Sequence, residues 1–203
     1  QELYRESLDN PDAFWRREAQ RLDWITPFTK VSECSYDEAT FGIKWFEDGQ
    51  LNVSANCIDR HLAERGDTPA ILWEGDDPAD TRSITYRELH AEVCRFANVL
   101  KAEGIRRGDR VTIYLPRLPE VFFAMLACAK LGAVHSVVFA GYSSDALSAR
   151  IDDSESKVVI TSDGSWINGK VFPMKEIVDD AVRFSPTVQN VIVLRNTATE
   201  AVM

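Results

Sequence analysis

From Cys57 onward the chain repeats one pattern, a short β-branched run followed by a turn and a helix-period stretch. The runs are PAILW at 69–73, VTIYL at 111–115, VHSVVF at 134–139, KVVIT at 157–161 and NVIVL at 190–194. Strands joined through helices lie parallel, and a parallel sheet must be covered on both faces, so its strands are apolar throughout instead of alternating. The fold class that follows is α/β: a partial doubly wound, mainly parallel sheet flanked by helices. The helices carry their own punctuation. Thr85 and Glu88 form a T-x-x-E capping box, and Leu89, Val93, Phe96, Ala97 and Leu100 then share one face before Gly104 ends the helix. Pro119 opens EVFFAMLACAKL, which Gly132 stops; Ser143 or Ser144 caps DALSARI; Pro173 opens MKEIVDDAV; and CIDRHLAER before Gly66 predicts a short helix. In such a sheet ligands bind beyond the carboxyl ends of the strands, which singles out the loops after Leu115, Phe139 and Thr161.

The first sixty residues differ. They hold three of the five tryptophans and little regular alternation. Asn10-Pro11-Asp12 supplies a cap, a proline for the first helical position and a first-turn acid, and Trp15, Ala19 and Leu22 follow at helical spacing. One helix near 11–23 is predicted, then irregular wrapping over 26–56 with a turn at Glu47-Asp48-Gly49. A largely irregular helical extension over 1–60 therefore precedes the α/β part at 61–203. The chain opens QELYRESLDN, without an initiator methionine, and ends TEAVM directly after a strand, so it is expected to be a piece of a longer polypeptide.

Charge and cysteine usage narrow the function classes. The formal net charge of −9 offers no basic field to draw nucleic acid or anionic lipid from a distance. Cys34, Cys57, Cys94 and Cys128 show no C-x-x-C or zinc-like spacing, which fits reduced thiols and a cytoplasmic protein. Residues 121–140 approach the length of a membrane span, but Lys130, Gly132 and His135 interrupt them, so a buried helix and strand are expected there. No membrane or nucleic-acid partner is expected.

Neither G-x-G-x-x-G after a strand nor G-x-x-x-x-G-K-[ST] occurs. Arg107-Gly108-Asp109 lies between a helix stop and a strand, where a turn is the better reading. His61, His90 and His135 lack ligand spacing, Glu74-Gly75-Asp76-Asp77 has the look of a solvated turn, and no metal site is expected. The stretch Asp163 to Lys170 is different: it follows a strand's carboxyl end, and Gly164 and Gly169 let backbone amides approach an anion beside the charge of Lys170. A surface turn with a solvated lysine is the commoner use of such residues, and both readings stand on these residues alone. Phe139-Ala140-Gly141-Tyr142-Ser143 is a second candidate wall.

Longer blocks add a family. YRESLDNPDAFW, IKWFEDGQLNVSANCIDRHL, AILWEGD, ITYRELHAEVCRFANVL, AMLACAKLGAVHSVVFAGYS and VVITSDG resemble the N-terminal part of acetyl-coenzyme A synthetases, the short-chain branch of the adenylate-forming acyl-CoA ligases. The resemblance implies an AMP-forming acetate–CoA ligase using ATP, Mg2+ and coenzyme A, with acetate as substrate and an acetyl-adenylate intermediate. Residues 1–60 would be the extension typical of short-chain synthetases, and 61–203 the first part of the large adenylate-forming domain. It also implies that the phosphate loop, the acyl pocket and the catalytic lysine lie in the rest of the polypeptide, so that these residues contain no catalytic group and are inactive alone. What the family places here is part of the coenzyme A entrance: Phe139, Gly141, Asn168, Gly169 and Lys170, against the adenosine 3′,5′-diphosphate. The family's second loop has a basic residue at each end of a four-residue turn; Lys170 keeps one, Ile167 replaces the other, and Ala140 replaces a glycine. Propionate– or acetoacetate–CoA ligase is the same-class alternative, and a non-catalytic α/β binding module the alternative from another class.

Overall fold

A computed structural model describes residues 1–198, and the closing TEAVM lies outside them. The chain forms two compact units, Gln1–Asn56 and the residues from Cys57 on.

In the first unit, α1 (Glu2–Asp9) buries no residue. The Asn10 side chain then accepts a hydrogen bond from the Ala13 amide and starts α2 (Pro11–Ala19), which ends earlier than the predicted residue 23. The stretch predicted to be irregular contains an antiparallel hairpin, β1 (Ser32–Ser35) with β2 (Gly42–Trp45), and begins a short helix, α3 (Val53–Cys57). Aromatic packing organises the rest: Trp24, Phe28 and Phe46 meet with ring centroids 4.7–5.6 Å apart. The predicted turn is present, closed by the Gly49 amide donating to the Phe46 carbonyl at 2.9 Å.

The second unit begins with a broken helical segment instead of the single helix expected through CIDRHLAER. A 3-10 turn (Asp59–His61) runs into α4 (Leu62–Arg65); Ile58 before it is fully buried and Lys130 pairs with the Asp59 carboxylate at 2.7 Å. The run PAILW becomes β3 (Pro69–Glu74), but it pairs antiparallel with β4 (Thr81–Thr85) as a separate ribbon and does not join the parallel sheet. The capping box then starts α5 (Tyr86–Ala102), with the Glu88 amide donating to Thr85 Oγ1 and the Thr85 amide to Glu88 Oε2.

The sheet itself is built by β5 (Arg110–Ile113), α6 (Pro119–Leu131), β6 (Val134–Val137), α7 (Ser144–Ser154) and β7 (Val158–Ser162). A small hairpin, β8 (Ser165–Ile167) and β9 (Lys170–Phe172), precedes α8 (Met174–Val182) and the last described strand, β10 (Asn190–Leu194). The four parallel strands lie in the order β10-β7-β5-β6. Every residue of β7 is buried. Val111, Ile113, Val158 and Ile160 enter one core with Leu89, Val93 and Leu100 of α5 and Phe123 and Ala127 of α6. Val159 and Tyr114 enter the other, with Leu147 and Ile151 of α7 and Met174 and Val178 of α8. Helices thus cover both faces, and the doubly wound expectation holds. The strand order reverses between β5 and β7, which makes their carboxyl ends the switch point where such folds take ligands.

All four cysteines are unpaired, and burial pushes the Cys128 thiol up to about 12. Among the described residues no helix is long and apolar enough to cross a membrane.

Ile160 is fully buried between helices, so Ile160→Ala is expected to cost about 2–5 kcal/mol of stability. Thr85→Ala, which opens the capping box, costs about 1 kcal/mol. Leu72→Ala, at a 78% exposed position, changes stability by less than about 0.5 kcal/mol. Urea midpoints of the three variants check the ranking.

Candidate functional site

A cavity of about 930 Å3 opens at the carboxyl end of the sheet, and three of its walls follow strands of that sheet. Pro116 and Arg117 follow β5, Phe139 and Gly141 follow β6, and Trp166 and Gly169 come from the hairpin that follows β7. The β3–β4 ribbon supplies the remaining wall through Trp73 and the acids Glu74, Asp76, Asp77 and Asp80.

The wall after β6 is anchored from beneath. Tyr114 is fully buried in the α7/α8 core, yet its hydroxyl reaches the backbone carbonyls of Tyr142 at 2.8 Å and Ala140 at 3.0 Å. Burial raises the phenol's pKa and keeps it a donor. Above this anchor the Phe139 ring is 65% exposed and meets Tyr142 edge-on at 5.8 Å. Gly141 lets the ring lie there, since a Cβ at that position would stand 2.5 Å from it.

The wall after β7 is not the long loop expected from Asp163 to Lys170. It is a tight hairpin in which Ile167 pairs with Lys170 across the two-residue turn Asn168-Gly169. Both turn residues have positive φ, +52° and +71°, the geometry for which Asn-Gly is suited and which matches the twist of paired strands. Their amides do approach an anion, but it is one of the chain's own: the Asn168 amide donates to Asp76 Oδ1 at 3.1 Å and the Gly169 amide to Asp76 Oδ2 at 2.8 Å. Lys170 opens β9 as an exposed side chain and forms no ion pair among the described residues.

Asp163 fixes the base of this hairpin. Its Oδ1 accepts the amides of Gly164 and Asn196 at 2.8 Å and of Thr197 at 2.9 Å. Burial pushes the carboxyl up, but the amides of Thr197, Asn196 and Gly164 outweigh it and hold the pKa below the ordinary carboxylate value.

Of the residues singled out in the sequence, Phe139, Gly141 and Gly169 line the cavity, while Asn168 and Lys170 occupy the tip of the hairpin that forms one wall. Asp76, which the sequence places in a solvated turn, is a structural partner of that hairpin. Asp109 of the Arg-Gly-Asp tripeptide is engaged internally, accepting the Arg106 amide at 2.8 Å and pairing with Lys157 at 2.7 Å.

An open parallel sheet with its cavity at the switch point, walled by strand-end loops, defines a doubly wound α/β domain whose cavity lies where such folds take ligands. The comparisons place it further. Residues 58–201 match the model of the AMP-binding enzymes, and residues 1–57 match that of the acetyl-coenzyme A synthetase N-terminus. The chain belongs to the AMP-binding enzyme family. Over 98% of its length it is 58% identical to an acetyl-coenzyme A synthetase of Novosphingobium aromaticivorans and 57% identical to acetyl-coenzyme A synthetase 1 of Pseudomonas aeruginosa. It spans 31% of the length of each. The solved structure of acetoacetyl-CoA synthetase from Streptomyces lividans matches with a TM-score of 0.87 at 30% identity, over 98% of this chain and 30% of that one.

Because the folded-state pKa of Asp163 is depressed, its stabilising contribution is present above the unfolded value of about 4 and is lost as pH falls through the folded one. Asp163→Asn should lower stability at neutral pH by about 1–3 kcal/mol and flatten the loss in acid. Denaturant midpoints of both proteins from neutral pH down through the carboxylate range measure this, and parallel pH curves would show that the carboxylate charge contributes nothing.

Proposed function

We propose that the chain is the N-terminal part of an AMP-forming acetate–CoA ligase and that it builds part of the coenzyme A entrance. In that reaction an acetate oxygen attacks the α-phosphorus of ATP and pyrophosphate leaves. The coenzyme A sulfur then attacks the acyl carbon of the acetyl-adenylate, the acyl–phosphate bond breaks, and AMP departs. The observation that carries this reading is that the Phe139-Gly141 loop and Gly169, at the tip of the hairpin that carries Asn168 and Lys170, line one cavity, in a chain 58% identical to an acetyl-coenzyme A synthetase. The identity with acetyl-coenzyme A synthetases exceeds that with the acetoacetyl-CoA synthetase, which favours acetate over acetoacetate.

The residues of this chain bind and orient the thiol substrate. The exposed Phe139 ring offers a face to the purine, since base–aromatic stacking contributes about 1–3 kcal/mol. Lys170 supplies a cation for the 3′-phosphate, with Ile167 beside it as an uncharged wall. The residues that meet the Mg2+ accompanying ATP are assigned to the rest of the polypeptide. Activation of ATP and exclusion of water from the adenylate belong there as well. Residues 1–60 are read as the extension of the short-chain synthetases and 61–203 as the opening of the adenylate-forming domain, in a cytoplasmic protein.

Two outcomes are expected. The 203-residue chain alone supports no acetate-dependent exchange of pyrophosphate into ATP, whereas the complete ligase does, and prefers acetate to propionate and acetoacetate. In the complete ligase Lys170→Ala raises KM for coenzyme A roughly tenfold, the effect of about 1.4 kcal/mol from a screened, charge-assisted contact. KM for ATP and acetate stays unchanged, and with dephospho-coenzyme A mutant and wild type behave alike. Equal loss with both thiols would assign Lys170 to loop structure and remove it from the phosphate site.

A further inference from the structure

We propose that Asp76 is a positioning residue for the phosphate end of this cavity: its carboxylate binds both amides of the Asn168-Gly169 turn and so sets where Lys170 stands. The proposal rests on the assignment of Lys170 to the coenzyme A 3′-phosphate.

Two successive amides in a positive-φ turn form a concave donor pair of the kind that binds anions. Here both donors are committed, to the two oxygens of one carboxylate. A phosphate arriving at the turn therefore meets Asp76 already on the backbone, and the cation left to receive it is the side chain one residue further on. Position 170 is the first residue after the turn and is cross-paired with Ile167, so fixing the turn fixes the root of the lysine. The clamp comes from far away in sequence: Asp76 lies on the β3–β4 ribbon, 92 residues before Asn168. The same two hydrogen bonds thus join two walls of one cavity, which is where Asp76 and Gly169 both lie. The bonds also satisfy the Asp76 charge with backbone dipoles, which lessens its repulsion of a neighbouring phosphate.

The test combines a structural and a functional readout. In the complete ligase, hydrogen exchange followed residue by residue should show the Asn168 and Gly169 amides protected, with protection lost in Asp76→Ala and partly kept in Asp76→Asn, which retains one carbonyl acceptor. In the complete ligase Asp76→Ala should raise KM for coenzyme A by several-fold but by no more than the roughly tenfold of Lys170→Ala, because it acts through that lysine. KM for dephospho-coenzyme A and kcat should not move. The double variant should lose no more than Lys170→Ala alone, and Asp76→Asn should recover part of the loss. If Lys170→Ala discriminates between the two thiols and Asp76→Ala affects both equally, or lowers KM for coenzyme A, the positioning role is overturned while the lysine's role stands. If Lys170→Ala itself fails to discriminate, both fall.

Discussion

A strand buried on both faces has to be covered twice, and that requirement organises the second unit. β7 is buried along its whole length, with Val158 and Ile160 facing one helical layer and Val159 the other. A layer missing on either side would leave β-branched side chains in water, so α5 and α6 on one face and α7 and α8 on the other are consequences of the same strand. Because the strands are parallel, all their carboxyl ends point one way, and the loops that leave them converge whether or not they share any sequence relationship. The cavity is the by-product of that convergence.

Its walls differ in how they are held, and the difference follows from where their anchors sit. The loop after β6 is tied down by a buried phenol whose ring belongs to the core and whose hydroxyl reaches the backbone above it. The hairpin after β7 is held at its base by the Asp163 carboxylate and at its tip by the Asp76 carboxylate. Carboxylates on backbone amides place two negative charges near a cavity expected to admit phosphates, and in each the charge is directed into peptide dipoles.

The sheet is legible in the sequence because its signals are local. Capping residues, a proline at the first turn and runs of Val and Ile mark β5, β6, β7, β10 and the helices between them within a few residues of their ends. What escapes lacks such signals. β4 exposes Thr81, Arg82 and Ser83 and buries only Ile84, too short an apolar run to mark a strand, and α1 buries nothing. The hairpin at 165–172 is hard to see because its strands are three residues long and its glycine suggests a flexible loop, whereas Asn-Gly between short runs is itself a turn signal. The candidate cavity is legible in its strand-end loops and in Phe139, Gly141 and Gly169, which line it. The Asp76 contact is not, because an acid in a polar turn carries no mark of a partner in another hairpin.

That separation has a temporal side. A ribosome adds about 5–20 residues per second. Asp76 therefore leaves it roughly 5–20 seconds before the turn that takes its carboxylate has been made. Three strands of the sheet emerge during the same interval, β5 first, β6 next at one edge, then β7 on the opposite side of β5, with β10 still to come. The contact that joins two walls of the cavity becomes available only once β5, β6 and β7 have been made.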